Sequence, residues 1–154
     1  MLLQEMLNES KQHNIHDENC SNNIEIDLRL FPEPNVNPDE MSIDSLAYLG
    51  DAVFNLYAKL YILADVKVTD LHRRSNKYVS RQGQSKLLKS ISHLLDEKEK
   101  NVVQRGINSK GARKHGNDRL YMESTGFEAL IGYLYLTNKK RLSEILKFGF
   151  ESFE

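Results

Sequence analysis

The sequence predicts an all-α domain in residues 37–154. Apolar residues recur there at helical spacing, residue types typical of helix starts precede these segments, and no stretch of useful length alternates between apolar and polar positions as a strand does. The chain of 154 residues is 40% hydrophobic and 28% charged, which is the ordinary range for one globular domain with one core. Residues 1–36 are acidic, rich in asparagine and poorly periodic, and we expect them to be a partly disordered leader.

Charge is unevenly distributed along the chain. The net charge is −1, but residues 1–40 hold nine acids and two bases, a net of −7, so the remainder carries +6. A basic body is compatible with a polyanionic partner, although basic residues also cover many ordinary surfaces. The single cysteine, Cys20, excludes a disulfide framework or a zinc cluster. No apolar stretch is long enough for a membrane helix, so we expect a soluble, cytoplasmic protein without a membrane partner.

The first helix of the body is also the most apolar. Asn37 followed by Pro38 is a typical helix start, and Ser42 offers a second one. From there to about Leu63, apolar residues occupy nearly every side of the helix. This pattern predicts a central helix wrapped by others.

Further helical segments follow. Thr69 and Asp70 open a basic helix that either runs through Gly83 or breaks there before a segment at 85–95. The remaining segments are a charged helix at 96–105, a loop with three glycines at 106–120, a strongly apolar helix at 121–136 and an amphipathic helix at 142–153.

Two acidic residues lie inside apolar helices, where an ionised carboxylate is costly unless a cation or hydrogen bonds compensate it. Asp51 is in the middle of the first helix, and Glu128 is in the helix at 121–136. One interpretation is that each acid lies on a narrow solvent-exposed face of its helix and pairs with Arg73 or Arg74. The other is a divalent cation between two facing helices, because magnesium prefers oxygen ligands and needs only one or two carboxylates. Small residues on both helices would let them approach closely: Ala47, Gly50 and Gly132.

Residues 46–53, which read LAYLGDAV, resemble the signature helix of the ribonuclease III catalytic domain, and residues 127–136, FEALIGYLYL, resemble its second acidic motif. The likeness extends in unbroken order over about residues 37–150. It is closest to the short Mini-ribonuclease III form of the family, which has no separate double-stranded RNA-binding domain. Further matching segments are LHRR at 71–74, YVS at 78–80, RGINSK at 105–110 and STG at 124–126.

The resemblance implies a ribonuclease III-like helical bundle, in a homodimer, that hydrolyses double-stranded RNA to 5′-phosphate and 3′-hydroxyl products. It implies that Asp51 and Glu128 are the catalytic acids and the ligands of Mg²⁺, for which Mn²⁺ can substitute. Full-length members carry two further acids where this chain has Ala47 and Thr125, a loss that is usual in the short form. Asp44, two turns before Asp51, is an accessory candidate. We favour a role at the helix N-terminus over a catalytic one.

Basic residues are the expected RNA-binding sites. Between Arg105 and Arg119 five bases accompany a single acid, with glycines that let backbone N–H groups approach phosphates. A mobile solvated loop is the other interpretation of this segment. No aromatic residue is interleaved there, which favours duplex RNA over stacked single strands. The resemblance implies maturation of large-subunit precursor ribosomal RNA. The candidate RNA-binding residues are Arg73, Arg74, Lys77, Arg105, Lys110, Arg113 and Lys114.

Two other functions remain open from the sequence. A catalytically inactive ribonuclease III-like module would bind RNA or the ribosome, but such a copy would be free to lose Asp51 and Glu128. A helical interaction protein with buried acids would leave the basic segment unexplained. Cleavage of duplex RNA with magnesium, but not with EDTA, separates both from the nuclease.

Overall fold

The computed structural model describes residues 30–153, and the described residues from Val36 onward form one compact unit. The described residues contain helices and no strand, which confirms the all-α class. Nearly all of the predicted leader, with Cys20, lies outside the described residues. None of the helices within 30–153 is long and apolar enough to cross a membrane. In chain order they are α1 (Ile43–Ile62), α2 (Val68–Val79), α3 (Arg81–Ile91), a 3-10 turn (Ser92–Leu94), α4 (Glu97–Ile107), α5 (Lys110–Arg113), α6 (Arg119–Thr137) and α7 (Lys139–Glu151).

Side-chain caps explain where most of these helices begin. Ser42 Oγ accepts a hydrogen bond from Ser45 N at 3.1 Å, so α1 starts at the second of the two predicted caps. Asn37 instead accepts a hydrogen bond from Asp39 N at 3.2 Å, within a turn that precedes the helix. Six of the seven α-helices described have such a cap: Ser42, Ser80, Asp96, Ser109, Asp118 and Asn138.

Two predicted boundaries were wrong, and a serine cap is the reason in each case. The basic helix breaks at Ser80 and not at Gly83, because Ser80 Oγ accepts a hydrogen bond from Gly83 N at 3.1 Å and starts α3. Gly83 itself is buried inside that helix. The predicted loop at 106–120 contains the one-turn helix α5, since Ser109 Oγ accepts a hydrogen bond from Ala112 N at 3.0 Å.

The central helix of the unit is α6, which packs against α1, α3, α4 and α7. Every residue from 123 to 134 is buried except Glu128. The prediction that the first helix is central and wrapped was therefore wrong. α1 buries one face against α6 and leaves Tyr48 85%, Leu56 45% and Leu60 63% exposed. An apolar pattern on all sides does not distinguish a wrapped helix from one with an uncovered apolar face.

Aromatic rings join four helices in the core. Phe54 of α1 meets Phe127 of α6 edge-on, with 4.9 Å between the ring centroids. Phe150 of α7 stacks on Tyr78 of α2 at 4.3 Å and also meets Phe54 at 5.9 Å. These ring pairs hold α1, α2 and α7 together beside the central helix.

α1 and α6 cross in direct backbone contact. A Cβ atom on Gly50 would overlap the carbonyl oxygen of Glu128 and lie 2.8 Å from Gly132 N. A Cβ atom on Gly132 would overlap the carbonyl oxygen of Leu46 and lie 3.1 Å from Gly50 N. Only glycine permits so close a crossing at both positions. The prediction that small residues bring these helices together is confirmed for Gly50 and Gly132.

Gly132→Ala should therefore destabilise the fold by about 3 kcal/mol or more, the upper end of overpacking costs, because the new methyl group meets backbone that cannot rotate away. The measurement is the free energy of unfolding in a denaturant titration. Gly149→Ala is the matched control, since its Cβ would lie 3.1 Å from Leu87 Cδ2, a side-chain atom that can shift. Equal stability of the two variants would contradict the proposed backbone crossing.

Candidate active site

An open cavity of about 590 Å³ lies where α1 and α6 cross. α1 contributes Asp51 to its wall, and α6 contributes Glu128. The structure thus brings together the two acids that the sequence singled out, on two facing helices. Residues of α3 and α5, with Val79 at the end of α2, complete the wall. The full lining is Asp44, Ala47, Tyr48, Asp51, Val79, Arg81, Gln84, Gly111, Tyr121, Ser124, Thr125 and Glu128.

Asp51 is exposed and is restrained by a residue of its own helix. Asn55 Nδ2 donates to Asp51 Oδ1 at 2.9 Å and to the Asp51 carbonyl oxygen at 2.8 Å. Within residues 30–153 no Lys, Arg or His side chain forms a salt bridge with it. Of the two interpretations of these acids, the pairing with Arg73 or Arg74 was wrong, because Arg73 pairs with Asp70 at 2.8 Å and neither arginine lines the cavity.

Glu128 is half-buried, and its environment disfavours the charged form. The pKa of Glu128 is raised to about 7, and burial is the largest cause. The negative charge of Asp51 also raises it, while the Gln84 side chain and the positive charge of Arg81 lower it. The net result is that near neutral pH this carboxylate holds a proton about half of the time. A bound cation would reverse that balance, because it favours the ionised form.

Two residues of this cavity were missed by sequence reasoning, namely Arg81 and Gln84 of α3. Arg81 lies over the Tyr121 ring at 4.6 Å and forms a salt bridge with Asp118 at 3.6 Å. Gln84 is only 3% exposed. The signal that would have found them is the Ser80 cap. A helix starting there places positions 81 and 84 on one face in its first turn.

Asp44 also lines the cavity, from the first turn of α1. It is exposed and lies against Gly111 of α5, where a Cβ atom would come 2.8 Å from Asp44 Oδ1. In the described part of the chain, no group of three or more His, Cys, Asp or Glu side chains is placed to hold a metal ion. A catalytic role for Asp44 therefore stays a prediction, as does its role at the helix N-terminus. Ala47 and Thr125, which replace acids of the longer enzymes, line the same cavity.

The candidate RNA-binding residues fall into separate groups. Lys110, Arg113 and Lys114 are exposed on and just after α5, whose Gly111 lines the cavity. The group on α2 does not line it, and its Lys77 ammonium lies 5.6 Å from the Phe153 ring centroid. The residues of this α2 group and the exposed base on α4 are Arg73, Arg74, Lys77 and Arg105.

Comparisons with known proteins yield similar chains of similar length. A family model described as the ribonuclease III domain matches residues 44–139. The chain is 42% identical over 124 residues to a Mini-ribonuclease 3 of Kosmotoga olearia, covering 79% of this chain and 86% of that protein. It is 43% identical over 116 residues to a Mini-ribonuclease 3 of Symbiobacterium thermophilum, covering 72% and 89%. An X-ray structure of a Fusobacterium nucleatum protein has a TM-score of 0.65 at 30% identity, covering 73% of this chain and 96% of that one.

The raised pKa of Glu128 makes a prediction about stability and pH. Because the pKa in the folded protein, about 7, exceeds the ordinary value of 4.5, this group stabilises the fold fully below about pH 4.5. That contribution is lost as the pH rises through 7. Glu128→Gln has no such loss, so without divalent cations its stability relative to the wild type should rise by about 2 kcal/mol between about pH 5 and about pH 8, allowing for solvent screening.

Denaturant unfolding at both pH values measures this difference. Glu144→Gln, which changes an exposed carboxylate of α7 and keeps Glu128, is the control, and its stability relative to the wild type should be the same at both pH values. If the stability of Glu128→Gln relative to the wild type is the same at both pH values, folding does not raise the pKa of Glu128.

Proposed function

This chain belongs to the ribonuclease III family, and from that premise we propose that it hydrolyses double-stranded RNA with Mg²⁺ held by Asp51 and Glu128. The observation that carries this proposal is the pair of carboxylates on two facing helices at the wall of one open cavity. The family and the names of its relatives support an endoribonuclease. The metal, the duplex specificity and the assembly are our inferences.

The donor set fits a divalent cation with oxygen ligands. Asp51 and Glu128 repel each other, since the charge of Asp51 raises the pKa of Glu128, and a shared cation would relieve that repulsion. Two carboxylates are enough for Mg²⁺, which usually keeps several waters. Mn²⁺ also prefers oxygen ligands and would substitute. When bound, the cation would polarise a phosphate oxygen and lower the pKa of a water that attacks the phosphorus.

The chain's own residues would orient this chemistry. Asn55 restrains the Asp51 carboxylate through its hydrogen bond to Oδ1. Arg81, on the same wall, places a positive charge where a phosphate would enter. The hydroxyl groups of Ser124 and Thr125 are unsuited to act as nucleophiles, because both donate to the Tyr121 carbonyl oxygen, at 2.8 and 3.0 Å. Water is therefore the nucleophile that the site favours.

Duplex RNA is the substrate that the surroundings of the cavity favour. The bases of α5 are exposed next to the wall that Gly111 forms, so they could hold phosphates flanking the scissile one. Duplex RNA is recognised largely through its phosphates and shape. The family likeness points to large-subunit precursor ribosomal RNA in the cytoplasm as the natural substrate.

A second copy of the chain is proposed to cover the apolar face of α1. Leu56 and Leu60 lie one turn apart on that helix, and Leu63 follows at its end, 64% exposed. Exposed apolar side chains in a row are typical of an interface. A twofold dimer would contain two cavities, so that each could cut one strand of a duplex.

Removing either carboxylate should abolish cleavage. Asp51→Asn and Glu128→Gln each delete a charge that would hold the cation while keeping the side-chain volume, so we expect at least about a thousandfold loss of rate, ~4 kcal/mol of barrier, with the fold intact. Asp44→Asn should lose no more than about tenfold. The measurement is cleavage of a long RNA duplex in Mg²⁺ and in EDTA. Near-normal cleavage by either of the first two variants would contradict the assignment of Asp51 and Glu128 as catalytic acids. A loss of rate in Asp44→Asn as large as theirs would add Asp44 to the site.

Replacing Lys110, Arg113 and Lys114 together by alanine should raise the Kd for duplex RNA and flatten its salt dependence by about 0.9 for each phosphate that is no longer neutralised. The weakening should be equal on duplexes of unrelated sequence, because phosphates carry no sequence information. The matched control replaces the three bases of α2, Arg73, Arg74 and Lys77, and so removes the same charge. Weaker binding in the control but not in the α5 variant would move the RNA-binding surface to α2.

Leu60→Lys should convert a dimer into a monomer, because it places a charge in the middle of the proposed interface. Sedimentation at several protein concentrations measures the mass. Phe148→Lys, at an exposed aromatic residue of α7 that is 39% exposed, is the control and should leave the mass unchanged. A monomeric wild-type protein, or a dimeric Leu60→Lys variant, would contradict the proposed interface.

A further inference from the structure

Gln84 presents a buried acceptor that no group within residues 30–153 satisfies. It is 3% exposed, and its Oε1 is the buried side-chain nitrogen or oxygen atom without a hydrogen-bond partner in the described residues. Leaving such an atom unpaired is unfavourable, so a partner from outside the chain is expected. Gln84 lines the cavity of Asp51 and Glu128, which is where such a partner would come from.

The rest of the Gln84 side chain is already committed. Its Nε2 donates to the Val79 carbonyl oxygen at 3.3 Å, and the carboxamide is close enough to the Glu128 carboxylate to lower its pKa. An amide nitrogen has two hydrogens, which these two oxygens can use. The amide group therefore has a fixed orientation, with Oε1 as its one unused atom.

We propose that Gln84 is a positioning residue of the cation site: Nε2 orients Glu128, and Oε1 accepts a hydrogen bond from the water shell of the divalent cation. This inference rests on the cation proposed for Asp51 and Glu128. Waters bound to such a cation direct their oxygens to the metal and their hydrogens outward. They therefore donate hydrogen bonds to acceptors around the site, and Gln84 Oε1 is an unpaired acceptor. Outer partners of this kind orient metal ligands in proteins.

The position of Gln84 favours this partner over an RNA hydroxyl group. At 3% exposure the side chain lies in the floor of the cavity, where water and a small ion reach more easily than a ribose does. Arg81, in the first turn of the same helix, is 53% exposed and is the better placed of the two to meet a nucleic acid. A measurement of cation binding without RNA separates the two sources of the hydrogen.

The test uses Mn²⁺ alone as the probe, with free Mn²⁺ counted by electron paramagnetic resonance at about pH 8 and no RNA present. Gln84→Met keeps the volume but removes the donor and the acceptor, and should raise the Kd for Mn²⁺ about tenfold. Gln84→Glu keeps an acceptor oxygen and adds negative charge, and should lower the Kd. Gln82→Met, at an exposed glutamine of the same helix, should bind as the wild type does.

A merely structural role would give a different pattern. In that case both Gln84 variants would bind Mn²⁺ more weakly, in proportion to their loss of thermal stability without cations. That pattern, or an unchanged Kd in Gln84→Met, would overturn the inference. Asp51→Asn separates this failure from that of the proposed function. If the wild type binds no Mn²⁺, or Asp51→Asn binds it normally, the cation site itself is wrong and the role of Gln84 is overturned with it.

Discussion

The backbone crossing of α1 and α6 is the contact on which both the fold and the site depend. At Gly50 and Gly132 the two helices are closer than any side chain would allow. Asp51 follows the first glycine directly, and Glu128 lies one turn before the second. The close approach that joins the two longest helices of the described chain therefore also brings these carboxylates to one cavity. A wider crossing would separate them.

This arrangement places an electrostatic cost in the middle of the fold. Burial and the nearby Asp51 charge raise the pKa of Glu128, and only the Gln84 side chain and the charge of Arg81 oppose them. The two buried acids of the described residues, Glu99 and Glu123, are compensated more fully. Glu99, for example, is 5% exposed at its side chain and receives two hydrogen bonds from Arg141, at 2.9 and 3.1 Å. The contrast indicates a site prepared for a positive charge that the chain itself does not supply.

The two acids of the candidate site and the two glycines of the helix crossing could be predicted from the sequence, because each is recognised from its immediate neighbours. Asp51 and Glu128 stand out as acids inside apolar segments, and Gly50 and Gly132 stand out as small residues in the same segments. Arg81 and Gln84 were not predicted, because their place depends on the helix break at Ser80. The pattern also misassigned the central helix. Apolar side chains at Leu56 and Leu60 have the same appearance in a sequence whether their own domain covers them or not.

If Asp51 and Glu128 hold one divalent cation between α1 and α6, that ion can be located directly. The measurement is anomalous X-ray scattering from a crystal of the wild-type protein equilibrated with Mn²⁺. We expect one strong peak in the cavity, about 2.1 Å from an oxygen of each carboxylate, taking the Mg²⁺ distance as a guide. A peak bound by only one of the two acids, or a cavity without a peak while Mn²⁺ binds elsewhere, would contradict the shared site.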